Sequence, residues 1–278
     1  MTEPALLVSD LRKEFDGGGH TVVAVDNLSF SIEAGGALAV VGESGSGKTT
    51  VARMVSGLEQ PTAGSIRIAG VERTAGERRR NWRSYSRQVQ MVFQNPYASL
   101  DPRQDVHSCL DEVMRLHHRL GARDRASRIT ELLEQVGLDD RHARLRPSSL
   151  SGGQRQRVAI ARALVVEPAL LILDESVAAL DVSIQAQILN LLNELRRKRG
   201  IAFLFITHDL AAARYVCETM IVMQRGKLIE SGPSGQILSN PQSPYTQRLL
   251  AAVPRVGWIP MRAGLRSEEP EDPSSAGR

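Results

Sequence analysis

The sequence predicts an α/β fold built on a parallel sheet. Three observations carry that prediction. Short β-rich apolar runs alternate with longer helical patterns; a glycine-rich loop directly follows one run; another run ends in paired acids. The main-sheet strands are expected at residues 38–41, 90–93, 170–173, 202–206 and 220–223. The continuous apolar run at 170–173 suits a strand covered on both faces. Segments around 6–8, 28–32 and 65–68 suggest a smaller antiparallel layer. Arg225-Gly226 offers a hairpin turn before residues 227–230.

Two helices stand out. Ile184, Ile188, Leu191, Leu192 and Leu195 recur at helical spacing, and Gly200 follows the basic run 196–199 as a C-terminal stop. A second helix is expected through 129–136, ending at Gly137. Residues 95–150 are helical, polar and arginine-rich in texture and interrupt the strand alternation. The expected organisation is therefore a core from residues 1–94 and 151–240, with the antiparallel layer, an inserted helical subdomain at 95–150 and a C-terminal extension at 241–278. From about residue 262 the extension is rich in Glu, Pro, Ser and Gly and is expected to be disordered. No internal repeat is visible.

Composition excludes several classes. With 278 residues the chain can bury a sizeable core. Its net charge of +4 is modest and reads as a solvated surface. Cys109 and Cys217 lack Cys-x-x-Cys spacing, which argues against a disulfide framework or zinc site. His107 with Cys109 is too small a set for a metal, and the adjacent His117-His118 would diverge on a helix. Arg78-Arg79-Arg80 has no aromatic platform beside it, so no nucleic-acid partner is expected. The start has no secretory pattern, and no apolar run approaches the ~20 residues that span a bilayer. The expected location is cytoplasmic, with any membrane association made through a partner.

The chemistry begins at Gly42-Glu43-Ser44-Gly45-Ser46-Gly47-Lys48-Thr49-Thr50, between a strand and an apolar helical stretch. That is the setting of a P-loop. Its glycines let backbone N–H groups curl around phosphate oxygens, and the following helix adds its positive end. Lys48 supplies charge to the β- and γ-phosphates, and Thr49 offers a hydroxyl to Mg²⁺. The run at 170–173 delivers Asp174 and Glu175 to a strand's carboxyl end, where open α/β sheets bind ligands. Asp174 is the candidate for the Mg²⁺ shell and Glu175 for the group facing the attacking water. The guanine-reading Asn/Thr-Lys-x-Asp is missing around all four lysines.

Leu150-Ser151-Gly152-Gly153-Gln154-Arg155-Gln156-Arg157, placed just before the acidic strand, resembles the signature of the ATP-binding subunits of ABC transporters. The resemblance covers roughly residues 5–255 and implies a P-loop ATPase core with ATP and Mg²⁺ as cofactors. It implies that Ser151, Gly152, Gly153 and Gln154 grip the ATP held by a second ATPase subunit. Gln94 matches the glutamine that senses Mg²⁺ and water. Ala179-Leu180-Asp181 matches the loop crossing the dimer seam, and Ile206-Thr207-His208-Asp209 the loop whose histidine contacts the γ-phosphate. Phe15 is a candidate for the aromatic stacked on adenine; a core position is the alternative. Ser176-Val177-Ala178 departs from the family's usual Pro-Thr-Ser.

Gln94-Asn95-Pro96-Tyr97-Ala98-Ser99-Leu100-Asp101-Pro102-Arg103 is similar to the peptide-importer branch. So are the run from Asp181 to Asn190, the string Asn240-Pro241-Gln242-Ser243-Pro244-Tyr245-Thr246, and Val253-Pro254. Dipeptide, oligopeptide, glutathione and nickel importers share these features, and a soluble ABC ATPase is the rival outside transport. The branch implies a related but non-identical partner ATPase, two integral membrane permeases and, indirectly, an extracytoplasmic solute-binding protein. The subunit would then sit peripherally on the cytoplasmic face of the membrane. Some relatives carry a cysteine-ligated iron–sulfur cluster in the C-terminal extension. No cysteine follows Cys217, so no cluster is expected here.

Overall fold

The computed structural model describes residues 3–18, 20–74, 82–94, 100–178 and 180–252. Arg78-Arg79-Arg80, the stretch 95–99, Ala179, Val253-Pro254 and the tail from 262 lie outside the described residues.

The chain opens with β1 (Leu6–Asp16), β2 (Thr21–Ile32), β3 (Ala37–Val41), α1 (Lys48–Ser56), β4 (Ala63–Ile68) and β5 (Val71–Thr74). Next come α2 (Trp82–Gln88), β6 (Val89–Val92), α3 (Val106–His117), α4 (Ala122–Gln135), α5 (Asp140–Ala143) and a 3₁₀ turn at Pro147–Ser149. The remainder runs α6 (Gly152–Leu164), β7 (Leu170–Asp174), α7 (Val182–Arg199), β8 (Ala202–Ile206), α8 (Leu210–Val216) and β9 (Thr219–Gln224). It closes with β10 (Lys227–Pro233), α9 (Ser234–Ser239) and α10 (Pro244–Ala251).

The larger sheet has the order β10-β9-β3-β8-β7-β6 and the smaller the order β2-β1-β4-β5. In the larger one, β9, β3, β8, β7 and β6 pair in parallel, and β10 joins β9 antiparallel at the edge. All pairs of the smaller sheet are antiparallel. Strand alternation divides the core in two. Leu38 and Val40 of β3 pack towards the smaller sheet with Leu170 and Ile172 of β7 and with Val51 and Met54 of α1. Ala39 and Val41 pack the other way, with Leu171, Leu173, Phe203 and Phe205 and the helices α3 to α7. Both faces of β3, β7 and β8 are covered, which is why these strands read as unbroken apolar runs.

The early strands are longer than their sequence suggests. Register shifts interrupt β1 against β2 between Val8 and Leu11 and again between Leu11 and Lys13. Asp10 and Asn27 take positive φ there, 48° and 52°. Each bulge breaks the alternation that marks a strand, so the pattern exposes only short pieces. The hairpin at Arg225-Gly226 is as expected: both residues have positive φ, and β10 follows at once.

Between β6 and β7 lie α3 to α6, with α6 packing on both α3 and α4 and on β6. Asp105 caps α3 by accepting the Ser108 N–H at 2.7 Å. Asp111, largely buried, pairs with Arg115 and Arg125 at 2.6 Å each and ties α3 to α4. Among the described residues no helix is long and apolar enough to cross a membrane.

Candidate functional site

The glycine-rich loop leaves the carboxyl end of β3 and enters α1. Gly42 has φ 151°, and a Cβ there would collide with the Met223 carbonyl oxygen of the neighbouring strand β9. Gly47 has φ 103°, and its Cβ would strike the Ala24 carbonyl oxygen of β2. These two positions need glycine because backbone from other strands presses on the loop. Ser46 is buried, and its carbonyl accepts the Gly226 N–H at 3.0 Å, so the β9–β10 turn braces the loop as well. Ser44 and Gly45 form the exposed crest, while Thr49 and Thr50 open α1.

Lys48 is buried and folds back over its own loop. Its Nζ donates to the Gly42 carbonyl at 2.8 Å and to the Glu43 carbonyl at 2.7 Å. Burial pulls its ammonium below the ordinary lysine range, and the charges of Glu175, Asp174 and Glu43 oppose that pull. The sheet thus brings the end of β7 beside the end of β3, although β8 lies between them in the larger sheet.

Asp174 is 7% exposed, and its Oδ1 has no hydrogen-bond partner. Burial, aided by Glu175, pushes its carboxyl up to about 6, against the favourable influence of Arg53, Lys48 and the Thr49 hydroxyl. A buried carboxylate oxygen without a donor costs free energy unless a proton or cation meets it. The donor set of Asp174 and Thr49 is an all-oxygen pair of the kind hard divalent cations take.

Glu175 has left-handed backbone, φ 46°, and its N–H donates to the Ile206 carbonyl at 2.9 Å. Its side chain collects two other candidates. Gln94 Nε2 donates to Glu175 Oε2 at 2.9 Å, and His208 Nδ1 lies 3.3 Å from Glu175 Oε1. Residues separated by up to 114 positions therefore meet on one carboxylate at the carboxyl end of the sheet. His208 is positioned by its neighbours. Asp209 caps α8 by accepting the Ala211 and Ala212 N–H groups, and the Thr207 hydroxyl accepts the Asp209 N–H at 2.9 Å.

The string 151–154 forms a separate feature. Ser151 caps α6, its Oγ accepting the Gln154 N–H at 3.2 Å while Gln154 Oε1 accepts the Ser151 N–H at 2.8 Å. A Cβ on Gly153 would come within 2.5 Å of Ile184 Cγ2, so this glycine is where α6 and α7 approach closely. Gly152 faces Leu180. Asp181 caps α7 by accepting the Ile184 N–H at 2.9 Å. Among the described residues no hydrogen bond or ion pair joins Ser151–Gln154 or Asp181 to the P-loop.

Phe15 is 41% exposed, which sets aside the core alternative. Lys13 Nζ lies 4.7 Å from its ring centroid, and the exposed Val22 pairs with it across β2. His118, set aside as a metal ligand, bonds the Val165 carbonyl at 2.8 Å, and both cysteines are buried free thiols.

Three contacts escape a reading of the sequence. Gln185 Nε2 donates to Asp209 Oδ2 at 2.8 Å and links the start of α7 to the loop of His208. His142 Nε2 lies 3.0 Å from Gln154 Nε2, and its Nδ1 lies 2.7 Å from Asp139 Oδ1. His142 can accept from Gln154 through Nε2 only in the tautomer that donates through Nδ1 to Asp139 Oδ1, and that tautomer gives up the Asp139 N–H, 3.2 Å from the same Nδ1. Tyr245, far along the chain, reaches Glu43 of the P-loop. None of these lies in a periodic pattern; for Gln185 and Tyr245 the only signal is membership of the branch-like strings.

A family profile described as ABC transporter matches residues 25–178. The di/tripeptide transport ATP-binding protein DppF of Pseudomonas aeruginosa is 43% identical over 270 residues, covering 95% of this chain and 83% of that protein. The oligopeptide transport ATP-binding protein OppF of Bacillus subtilis is 44% identical over 255 residues, covering 91% and 84%. Among solved structures, the dimeric bacterial ABC transporter cassette MJ0796 aligns with TM-score 0.74 at 28% identity, covering 82% of this chain and 98% of that one. CbiO1 of Clostridium perfringens aligns with TM-score 0.76 at 26% identity, covering 92% and 98%.

Proposed function

Because the chain belongs to the ABC transporter family, as one of its ATP-binding subunits, we propose that it hydrolyses ATP to power import of dipeptides or oligopeptides. The observation that carries the chemistry is the convergence of Gln94 and His208 on Glu175, beside the buried Asp174 and the P-loop Lys48. In this reading the P-loop from Gly42 to Thr50 holds the triphosphate, and Phe15 stacks on the adenine. Thr49, Asp174 and Gln94 would hold Mg²⁺, which when bound neutralises charge on the β- and γ-phosphates. Glu175 accepts a proton from, or orients, the attacking water, and His208 holds the γ-phosphate in line.

Ser151, Gly152, Gly153, Gln154 and Asp181 act on the nucleotide of a second ATPase subunit. What supports this is that they are preorganised at a helix N-terminus yet bond nothing of their own P-loop. The printed names of the relatives support a peptide cargo, as does the similarity of residues 240–246 to that branch. We further propose the division into 1–94 with 151–240, 95–150 and 241–278. The expected partners are a non-identical ATPase and two permeases, with a solute-binding protein acting indirectly, at the cytoplasmic face of the membrane.

The test is phosphate release by the assembled transporter in vesicles. Glu175→Gln should lower turnover at least about 100-fold, and the intact complex should show ATPase stimulated by peptide but not by nickel or glutathione. Turnover unaffected by Glu175→Gln would sink the catalytic assignment; stimulation by nickel or glutathione alone would sink the peptide cargo.

A further inference from the structure

The string 240–246 has no part in the chemistry above, yet it is tied into the site. On the edge strand β10, Glu230 accepts the Gln242 N–H at 2.9 Å through Oε1 and the Ser243 N–H at 3.1 Å through Oε2. Partial burial works to raise the Glu230 carboxyl, but the Thr246 hydroxyl and these two N–H groups outweigh it and hold it below the ordinary range. Ser243 then caps α10, its hydroxyl accepting the Tyr245 N–H at 3.2 Å, with Pro244 in the first turn. The start of α10 is therefore fixed in place and direction.

The fixed element delivers one side chain. Tyr245 is 5% exposed, and its hydroxyl accepts the Glu43 N–H at 3.3 Å, across 202 residues of sequence. The Glu43 carbonyl, on the following peptide, takes Lys48 Nζ at 2.7 Å and the Ser46 N–H at 3.2 Å; the Glu43 N–H itself belongs to the Gly42–Glu43 peptide, whose carbonyl takes Lys48 Nζ at 2.8 Å. The two ends of the Gly42–Glu43 peptide are thus held by different parts of the chain: the carbonyl by the P-loop itself, the N–H by the C-terminal extension.

We propose that Tyr245 is a positioning residue for the P-loop, through which the 240–246 segment sets the affinity for ATP. The inference rests on the reading of residues 42–50 as the ATP cradle. Lys48 spends two of its three N–H groups on the Gly42 and Glu43 carbonyls, so the placing of the Gly42–Glu43 peptide helps set where the ammonium meets phosphate. Tyr245 holds that peptide by its N–H, from an element outside the loop.

The test is ATP binding by the full chain with Mg²⁺, by titration calorimetry, together with the melting temperature of the nucleotide-free chain. Tyr245→Phe keeps the buried ring and removes one oxygen. A single neutral hydrogen bond is worth about 1 kcal/mol, so the ATP Kd should rise about 5-fold. In the assembled transporter, KM for ATP should rise by more than kcat falls. A folded Tyr245→Phe with unchanged ATP Kd overturns the proposal, as does a loss of melting temperature with no change in Kd. Glu230→Gln, which weakens the latch without touching the ring, should raise Kd in the same direction and serves if Tyr245→Phe does not fold; there too, unchanged Kd overturns it. An unaltered chain that binds no ATP would instead overturn the function proposed above.

Discussion

The P-loop region and the 151–154 region differ in how they are completed. Around the P-loop, β2, β9, the β9–β10 turn and α10 all press or bond on the loop, and Gln94 and His208 meet on Glu175 nearby. Around Ser151 the bonds are local, a capping box of four residues with His142 behind it. One region gathers residues from distant parts of the chain; the other is a finished helix end that, among the described residues, makes no hydrogen bond to its own P-loop. The contrast fits the proposal that this polypeptide carries two complementary halves of a site, each completed by a second subunit.

The strongest way to break the contrast is to damage each half and compare. Glu175→Gln should lower phosphate release at least about 100-fold while ATP binding to the single chain persists. Damage to the other half should look different. Gly153→Ala forces a methyl against Ile184, an overpacking cost of about 1–3 kcal/mol that displaces α6 from α7. Turnover in the assembled transporter should fall about 10-fold or more by that displacement, with the single-chain ATP Kd unchanged by calorimetry. A Gly153→Ala chain that binds ATP more weakly in isolation would show that the two halves are coupled within one polypeptide.

A pH titration sharpens the cradle side. Asp174 is raised to about 6 in the folded chain, above its ordinary carboxyl value. The stability linked to it is present below the ordinary carboxyl range and is lost as pH rises through about 6. Nucleotide-free Asp174→Asn should therefore melt higher than the unaltered chain at pH 7 and converge with it below about pH 4. Mg²⁺-dependent ATP binding should run the opposite way, weakening as pH falls through 6, because the cation needs the carboxylate. The smallest effect is expected on the local half. His142→Ala removes the side chain that lies 3.0 Å behind Gln154, and turnover should fall about 5-fold, again with single-chain ATP binding unchanged.

The same two regions explain what the sequence made legible. Gly42 and Gly47 announce themselves because backbone from β9 and β2 leaves no room for a Cβ, so residue type and spacing are both imposed. Asp174, Glu175 and His208 stand at the ends of β7 and β8, whose unbroken apolar runs mark their boundaries. Ser151 and Gln154 satisfy a local capping rule. The extents of β1 and β2 were hidden by bulges at Asp10 and Asn27, which disturb alternation. The contacts of His142 with Gln154, Gln185 with Asp209 and Tyr245 with Glu43 depend on how separate elements are packed; spacing along the chain carries no trace of them.

Lys48 is a buried cation held by the backbone of its own loop. Its two carbonyl acceptors, from Gly42 and Glu43, stand in for the water it has lost without neutralising its charge. On the proposed reading, phosphate oxygens would bring the negative charge that these neutral acceptors lack, and the ammonium would keep hydrogen-bond partners before and after loading. When the anion leaves, the loop's own carbonyls would take the ammonium back.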